Sequence, residues 1–181
     1  MAEMKKLMKS RLFAAICLAV IILLSVFLGG FRSVKQIEKK AYNAYYTDNG
    51  YGDAGEDMKK MSRYASMLAV ICEEGESVSP NFRSCVDQFD KTVGDPYIDG
   101  DLYESLFEEA TLSYNLIINN PNAQEQHKLS AKQYYYEIDA IMRRLSNNTG
   151  YNELAARYNK ALHAFPVSLL LKNAEQMIVF D

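Results

Sequence analysis

Residues 12–31 read LFAAICLAVIILLSVFLGGF, a run of twenty residues with no charge and only one hydroxyl, that of Ser25. Twenty helical residues at 1.5 Å each span about 30 Å, the thickness of the hydrocarbon layer of a bilayer. Arg11 and Arg32 flank the run and can extend their charges to the lipid headgroups. The sequence therefore predicts one transmembrane helix at residues 12–31, preceded by a basic tail at residues 1–11.

Three other kinds of apolar N-terminal segment fit this run less well. A cleaved signal peptide usually has a shorter apolar core and a small-residue cleavage site, and FLGGF at residues 27–31 is a poor substitute for that site. A lipoprotein needs a cysteine after the run, whereas Cys17 lies inside it. A pilin-type subunit has its processing glycine before the run, whereas Gly29 and Gly30 lie at its end. We expect an uncleaved anchor.

Charge is divided unevenly along the chain. Residues 1–40 hold eight Lys and Arg against two acids, and residues 41–181 hold twelve against twenty-one, so the part after residue 40 is near −9. An acidic domain argues against nucleic acid as a partner, because neutralising phosphates requires clustered basic residues. Four basic residues precede the apolar run and four follow it, and the free amino terminus adds one charge to the first side. This balance favours a bundle outside the cytoplasm.

Every segment after the anchor shows helical periodicity, and none shows the sustained alternation of a strand. The anchor helix is predicted to continue into the domain, because apolar residues recur at helical spacing at Val34, Ile37, Ala41 and Tyr45. Later helices are predicted to begin at capping signals, which are Asp53, Ser79-Pro80, Asp101 and Asn120-Pro121. The predicted fold class is all-α, with an N-terminal transmembrane helix continuing into an antiparallel four-helix-type bundle at residues 32–181.

Residues 147–150, Asn-Asn-Thr-Gly, form the poorest helix-forming run in the second half of the chain. They cost a helix about 2–3 kcal/mol relative to alanines. The heptad series Ile141, Asn148, Ala155, Leu162 nevertheless keeps its phase across them. We therefore expect one long helix that continues to Phe165-Pro166, followed by a short helix in the apolar stretch at residues 169–180.

Two Tyr-Asn pairs and a Phe-Pro pair follow one another at a fixed spacing. They are Tyr151-Asn152, Tyr158-Asn159 and Phe165-Pro166, each separated from the next by five residues. This series, with Arg143-Arg144 before it and Leu169-Leu170 after it, resembles the C-terminal signature of the LemA family, and the chain is identified as a divergent member. Where that family usually carries proline-asparagine-leucine-valine, residues 65–70 here read Ala-Ser-Met-Leu-Ala-Val.

The resemblance implies a four-helix bundle beyond the anchor and a place in the inner membrane of a bacterium, and it implies no established chemistry. The spacing of Tyr151, Tyr158 and Phe165 is also that of a packed helix seam, so the signature residues are predicted to lie in the core. Asn152 and Asn159 lie at the edge of that seam, where their amides can hydrogen-bond a neighbouring helix. The alternative is that the Tyr-Asn pairs line a ligand groove.

Residue types that carry catalysis or hold metals do not cluster in the sequence. His127 and His163 have no ligand partner at helical spacing. The acidic stretch at residues 95–101 fits a capping turn better than a calcium loop. Cys72 and Cys85 lie on apolar stripes, and in an oxidising compartment they could pair in a disulfide. We predict no catalytic, cofactor-binding or metal site, no cofactor and no enzyme.

The three consecutive tyrosines Tyr134, Tyr135 and Tyr136 must point in three directions around a helix, so at least one should be exposed. This cluster is the best candidate for an interaction surface. We expect a structural or adaptor protein whose partners are the lipid bilayer and an unidentified protein. The alternative is an extracytoplasmic sensor, in which the bundle binds a small molecule and acts through a separate partner.

Overall fold

The structure, a computed structural model, describes residues 11–48, 50 and 52–180. This part of the chain contains α-helices and no β-strand, so the predicted all-α class is confirmed. The predicted basic tail lies outside the described residues except for Arg11. In chain order, the helices are α1 (Arg11–Tyr45), α2 (Ala54–Glu74), α3 (Phe82–Thr92), α4 (Gly100–Asn119), α5 (Glu125–Ser146), α6 (Thr149–Leu162) and α7 (Val167–Leu170).

Helix α1 has two parts with different surroundings. At residues 13–33 nearly every side chain is exposed, and α1 is long and apolar enough to cross a membrane. From Val34 onward one face of α1 packs on the domain, and Val34, Ala41 and Tyr45 are buried. The prediction that the anchor helix continues into the domain is confirmed.

Helices α2 to α5 form an antiparallel four-helix bundle. The start of α2 meets the end of α5 at Asp57 and Arg144, and the end of α2 meets the start of α5 at Glu74 and His127. Helix α4 packs on α2, α3 and α5, and α3 packs on α2. Among the fully buried large side chains are Met58, Met61, Leu68, Phe82, Phe89, Leu106, Ile117, Ile138 and Ile141. Burial of each such side chain contributes about 1.5–3 kcal/mol.

Helices α1, α6 and α7 form a second layer at one end of this bundle. We call this end, where α2 begins and α5 ends, the lower end of the bundle. Helix α6 runs back along the C-terminal part of α1, so that Tyr151 at its start meets Tyr45. Helix α7 contacts α1 near Gly30, at the end of the apolar run. The order along the long axis is therefore the exposed part of α1, then the α1–α6 pair, then the four-helix bundle.

Acidic residues cap two helices. Asp53 Oδ1 accepts a hydrogen bond from Glu56 N at 2.9 Å, which confirms the predicted start of α2. For α4 the predicted cap is wrong: Asp99 Oδ1 accepts from Asp101 N at 3.1 Å, so Asp101 lies in the first turn. Asp99 has the extended backbone that an N-cap requires, which is why it takes this place.

Ser79-Pro80 and Asn120-Pro121 mark turns rather than the helix starts predicted from them. Helix α3 begins at Phe82 and α5 begins at Glu125. The hydroxyl of Ser79 donates to a carboxylate of α4 instead of capping α3, because α4 packs directly against this turn. Asn120 is the C-cap of α4, as expected for a residue that closes that helix.

The prediction of one long helix across residues 147–150 is wrong, because α5 ends at Ser146 and α6 begins at Thr149. Asn147 Nδ2 donates to a carbonyl in the last turn of α5 at 2.7 Å. Asn148 Oδ1 accepts from Tyr151 N at 3.1 Å and caps α6. Asparagine side chains satisfy the backbone groups that a continuous helix would pair, so low helix propensity decides the structure here.

The predicted short helix at residues 169–180 is wrong except at Leu169 and Leu170, which end α7. After a turn, residues 174–180 contain no helix and lie between α6 and the loop before α4. Ile178 N donates to Pro96 O of that loop at 2.8 Å. Met177, Ile178 and Phe180 are buried. We call residues 174–180 the C-terminal tail.

An ion pair joins the start of α2 to the end of α5. Arg144 Nε and Nη2 donate to the two carboxylate oxygens of Asp57 at 3.0 and 2.9 Å. The Asp57 side chain is 9% exposed, whereas that of Arg144 is 46% exposed. The hydrogen bonds that the guanidinium donates to Asp57 raise the pKa of Arg144. The pair therefore fixes the lower ends of two bundle helices relative to each other.

Replacing Asp57 by asparagine is expected to lower the free energy of unfolding by about 1–2 kcal/mol, because a buried acceptor loses its charge while water around Arg144 moderates the loss. Glu56→Gln is the matched control, since Glu56 is exposed in the same helical turn and its change should stay within about 0.5 kcal/mol. Chemical denaturation of the detergent-solubilised chain measures both. Equal stabilities of the two variants would contradict a structural role for this pair.

Candidate functional site

The two Tyr-Asn pairs of α6 bind a peptide segment, and that segment is the chain's own C-terminal tail. Asn152 Oδ1 accepts from Phe180 N at 3.1 Å, and its Nδ2 donates to Phe180 O at 3.0 Å. Asn159 pairs with Met177 in the same way, at 2.9 and 2.8 Å. Each amide thus satisfies both backbone groups of one tail residue, as a neighbouring strand would.

The spacing of the two asparagines fits an extended tail. Asn152 and Asn159 are seven residues apart, which is a rise of about 10.5 Å in a helix. Met177 and Phe180 are three residues apart, and three residues of extended chain cover about 10 Å. The direction is antiparallel, because the earlier asparagine binds the later tail residue. The prediction that these amides hydrogen-bond a neighbouring helix is confirmed for Asn152, whose Nδ2 also donates to Leu145 O of α5 at 3.0 Å. It is wrong for Asn159, whose hydrogen-bond partner is the tail, because the tail covers α6 on this side.

The tyrosines repeat the same pattern one position earlier. Tyr151 Oη donates to Ile178 O at 2.8 Å, and Tyr158 Oη donates to Glu175 O at 3.3 Å. Burial is the main cause that raises the pKa of both hydroxyls above the ordinary tyrosine value, so they are protonated donors well beyond neutral pH. Both rings are buried, so their predicted place in the core is confirmed. We call the four residues Tyr151, Asn152, Tyr158 and Asn159 the tail-binding surface.

The third pair of the signature behaves differently. Pro166 is buried, but Phe165 is 72% exposed, so its predicted place in the core is wrong. Helix α6 ends at Leu162, and the helical phase that would have turned Phe165 inward ends with it. The peptide bond between Phe165 and Pro166 is cis.

Phe180 completes a cluster of four aromatic rings. Its ring centroid lies 5.3 Å from that of Tyr103 and 5.7 Å from that of Tyr151, which lies 5.2 Å from that of Tyr45. Such pairs contribute about 0.5–1.5 kcal/mol each beyond their burial. The cluster ties the tail to α1, α4 and α6. Sequence reasoning missed the tail as part of this site, and the available signal was the apolar run at residues 177–180.

The alternative in which the Tyr-Asn pairs line a ligand groove requires an accessible surface on α6. The backbone of the C-terminal tail occupies that surface, with hydrogen bonds to all four residues of the tail-binding surface. The tail-binding surface therefore contributes to the fold of the domain.

The three consecutive tyrosines of α5 point in three directions. Tyr134 faces Tyr64 of α2, with ring centroids 6.3 Å apart. Tyr135 stacks on Tyr114 of α4 at 4.3 Å with nearly parallel rings. Tyr136 is 53% exposed, which confirms that at least one of the three reaches the surface.

An aromatic surface surrounds Tyr136 at the junction of α4 and α5. The Tyr136 ring lies 6.5 Å from that of Tyr114, and Lys132 Nζ lies 5.7 Å from the centre of the Tyr136 ring. Leu129, two helical turns before Tyr136, is 69% exposed. Of these tyrosines Tyr136 is exposed and Tyr114 and Tyr135 are half-buried. Aromatic side chains are enriched at protein interfaces. We call Tyr114, Leu129, Lys132, Tyr135 and Tyr136 the tyrosine face.

Cys72 and Cys85 are free thiols, so the disulfide considered for them is not formed in the structure. Cys72 Sγ is directed at α4, where it lies 3.6 Å from Ser113 O, and Cys85 is half-buried on α3. Burial is the main cause that raises the pKa of Cys72 to about 12, and it also raises the pKa of Cys85. A thiol that stays protonated at neutral pH is a poor nucleophile.

A polar cleft of about 310 Å³ lies at the upper end of the bundle, where α2 ends and α5 begins. Its lining includes Glu74, Glu76, Asn120, Asn122, Gln124 and His127. His127 Nε2 lies 3.7 Å from Glu74 Oε2, and among the described residues His127 Nδ1 is a buried atom without a hydrogen-bond partner. His163 lies at the opposite end, below the bundle, and hydrogen-bonds Gln176 at 3.0 Å.

The acidic stretch at residues 95–101 supplies acceptors to nearby backbone. Asp95 Oδ1 accepts from Tyr97 N at 3.1 Å, and Asp99 caps α4. Tyr97 Oη donates to Glu38 Oε1 at 3.0 Å and so joins this loop to α1. Within the part of the chain that the structure describes, no three His, Cys, Asp or Glu side chains are grouped to hold a metal ion.

Within the described residues, the geometry defines a class of protein in which one helix, long and apolar enough to span a membrane, continues into a domain with an antiparallel four-helix bundle. Comparisons with protein-family models, with curated proteins and with solved structures found no match to this chain. The resemblance to the LemA family therefore stays a prediction that depends on the signature residues.

Proposed function

We propose that this chain is a single-pass membrane protein whose bundle has a structural or adaptor role, holding an interaction surface at a set distance from the bilayer. The observation that carries the proposal is α1, which is one helix from Arg11 to Tyr45. Its first part exposes a large apolar surface that soluble proteins avoid, and its last part belongs to the packed domain. Because one continuous helix runs from the lipid into the packed domain, it fixes the height of the bundle above the lipid.

The proposed membrane is the inner membrane of a bacterium, with the bundle outside the cytoplasm. The resemblance to the LemA family supports the membrane, and the charge balance around residues 12–31 supports the orientation. The acidic bundle, which carries twenty-one of the chain's twenty-three acids after residue 40, is unsuited to nucleic acid.

The proposed role is non-enzymatic. Both thiols of the bundle have raised pKa values, which removes the usual activation of a cysteine nucleophile. The two histidines lie at opposite ends of the domain, so they cannot act on one substrate. The tyrosine face is the surface that we assign to the protein partner, because the exposed ring of Tyr136 and the exposed side chain of Leu129 can be buried on binding.

A photo-crosslinking amino acid at position 136 of the full chain in intact cells tests the adaptor role. We expect one protein band of fixed mass from position 136 and none from position 42, because Tyr42 is an exposed tyrosine of α1 outside the tyrosine face. Adding Leu129→Lys should weaken the band about fivefold or more, because an apolar contact is replaced by a charge. Bands of equal strength from both positions, or none from either, would count against the adaptor role.

A sensor is the second candidate, and the polar cleft at the upper end of the bundle supports it. The buried, unpaired Nδ1 of His127 and the carboxylate of Glu74 are polar groups that a small ligand could satisfy. A thermal-stability screen against metabolites tests this candidate, because selective binding must raise the melting temperature. A ligand whose effect disappears in His127→Phe would favour the sensor over the adaptor, and a flat screen would remove it.

A further inference from the structure

We propose that the corner between α6 and α7, residues 163–171, enters the bilayer beside α1, so that the protein has a second lipid contact besides its transmembrane helix. This inference rests on the proposed anchoring by α1. It assigns an occupant, the lipid acyl chains, to an apolar surface that the bundle leaves uncovered.

The corner packs directly on the last turns of the apolar run. A Cβ atom placed on Gly30 would lie 3.2 Å from Val167 Cγ2 and 3.6 Å from Pro166 Cδ. The ring of Phe165 meets that of Phe27 edge to face, with centroids 6.1 Å apart. Phe27 lies four residues inside the end of the run, a helical rise of about 6 Å. If residues 12–31 fill the hydrocarbon layer, Phe165 lies about one helical turn inside it.

Three large apolar side chains of the corner are exposed. Phe165 is 72% exposed, Leu169 67% and Leu170 50%. At the same level of α1, Leu28 and Phe31 are exposed as well. The exposed surface of the corner is therefore continuous with the exposed surface of the anchor. If lipid surrounds the anchor at this level, lipid also surrounds the corner. Moving such side chains from water to hydrocarbon is favourable.

The charges around the corner repeat the pattern of the anchor on a smaller scale. Residues 161–171 read ALHAFPVSLLL and contain no Lys, Arg, Asp or Glu, with His163 as the one titratable side chain. Lys160 and Lys172 stand on either side and are exposed. An apolar segment between two lysines can lie in the interface, with the ammonium groups among the headgroups.

The backbone of the corner is suited to a region without water. Ser168 N donates to Ala164 O at 3.0 Å, Leu169 N to Pro166 O at 3.2 Å and Leu171 N to Val167 O at 2.9 Å. Pro166 has no N–H to satisfy. Unpaired backbone groups are costly in hydrocarbon, so these internal hydrogen bonds lower the free-energy cost of inserting the corner a short way into the bilayer.

Tryptophan fluorescence in vesicles tests the proposal, because the chain has no tryptophan of its own. The full chain carrying Leu169→Trp is reconstituted in vesicles of phosphatidylcholine and phosphatidylglycerol, with and without bromine on the phosphatidylcholine acyl chains. Leu23→Trp reports on the anchor, and Leu116→Trp reports on an exposed leucine of α4 in the bundle. We expect blue-shifted emission and loss of most of it in brominated vesicles for Leu169→Trp and Leu23→Trp, and neither effect for Leu116→Trp.

The outcomes separate this inference from the proposal on which it rests. Quenching of Leu23→Trp without quenching of Leu169→Trp would overturn the second contact and leave the anchor in place. No quenching of Leu23→Trp would overturn the anchor itself. Blue-shifted emission from Leu169→Trp that bromine does not quench would mean that protein, such as a second copy of the chain, covers the corner, and this also overturns the inference. Phe165→Trp is the second variant, and it should give the same result as Leu169→Trp.

Discussion

Replacing both Asn152 and Asn159 by alanine is expected to lower the free energy of unfolding by about 4 kcal/mol. The two amides make four hydrogen bonds to the backbone of the C-terminal tail. Asn152 Nδ2 also donates to Leu145 O at 3.0 Å, at the break between α5 and α6. Each lost bond costs about 1 kcal/mol, and the buried backbone groups left without partners add to the loss.

Chemical denaturation of the detergent-solubilised chain, followed by circular dichroism, measures this loss. Asn115→Ala is the matched control, because Asn115 is an exposed helical asparagine at which alanine should be neutral or slightly stabilising. Asn152→Ala alone and Asn159→Ala alone should each lower the free energy of unfolding by about 2 kcal/mol. A double variant within about 1 kcal/mol of the unaltered chain would contradict the role given to the two amides.

Replacing Phe180 by alanine is expected to cost about 3–4 kcal/mol, because a fully buried aromatic side chain is removed and leaves a cavity. The lost contacts include the rings of Tyr103 and Tyr151, so the variant should also free the tail from α4. Faster cleavage of the tail by a protease of broad specificity reports this local opening.

Leu129→Ala is the control for the Phe180 variant, since Leu129 is exposed on α5 and its change should stay within about 0.5 kcal/mol. Combining Phe180→Ala with Asn152→Ala should cost less than the sum of the two, because both act on the same tail residue. A purely additive pair, or a Phe180 variant as stable as the Leu129 control, would show that the tail is not held as the structure has it.

The anchor and the helical class follow from local features of the sequence. The uncharged run at residues 12–31 defines a span by length and composition, and the spacing of Val34, Ala41 and Tyr45 shows that the helix continues into the domain. Asp53 is a correct helix start, because its partner is only three residues away. Predictions of this kind succeed where both interacting groups lie within one or two helical turns.

The tail could not be predicted in this way. The partners of Asn152 and Asn159 lie 28 and 18 residues further along the chain, and no local pattern reports such pairing. The sequence of the tail also lacks the alternation of apolar and polar residues that would indicate a strand. Its backbone hydrogen bonds are made to side-chain amides of a helix and not to a neighbouring strand. At the break between α5 and α6, Asn152 also satisfies the carbonyl of Leu145, which a continuous helix would have paired.

Phe165 shows a different limit of prediction from the sequence. Its heptad position predicts burial, but α6 ends three residues earlier and the side chain is exposed beside Phe27 of the anchor. In the membrane location that we propose, Phe165 has two apolar surroundings available, the protein core and the lipid, and periodicity alone cannot choose between them.

Everything proposed for this protein depends on residues 12–31 remaining in the bilayer of the mature chain. Washing the membranes of producing cells with alkaline carbonate, followed by the intact mass of the protein in pellet and supernatant, tests that directly. We expect the protein in the pellet, with a mass that includes residues 12–31. Recovery of the bundle in the supernatant, or of a mature chain that begins after residue 31, would contradict the account.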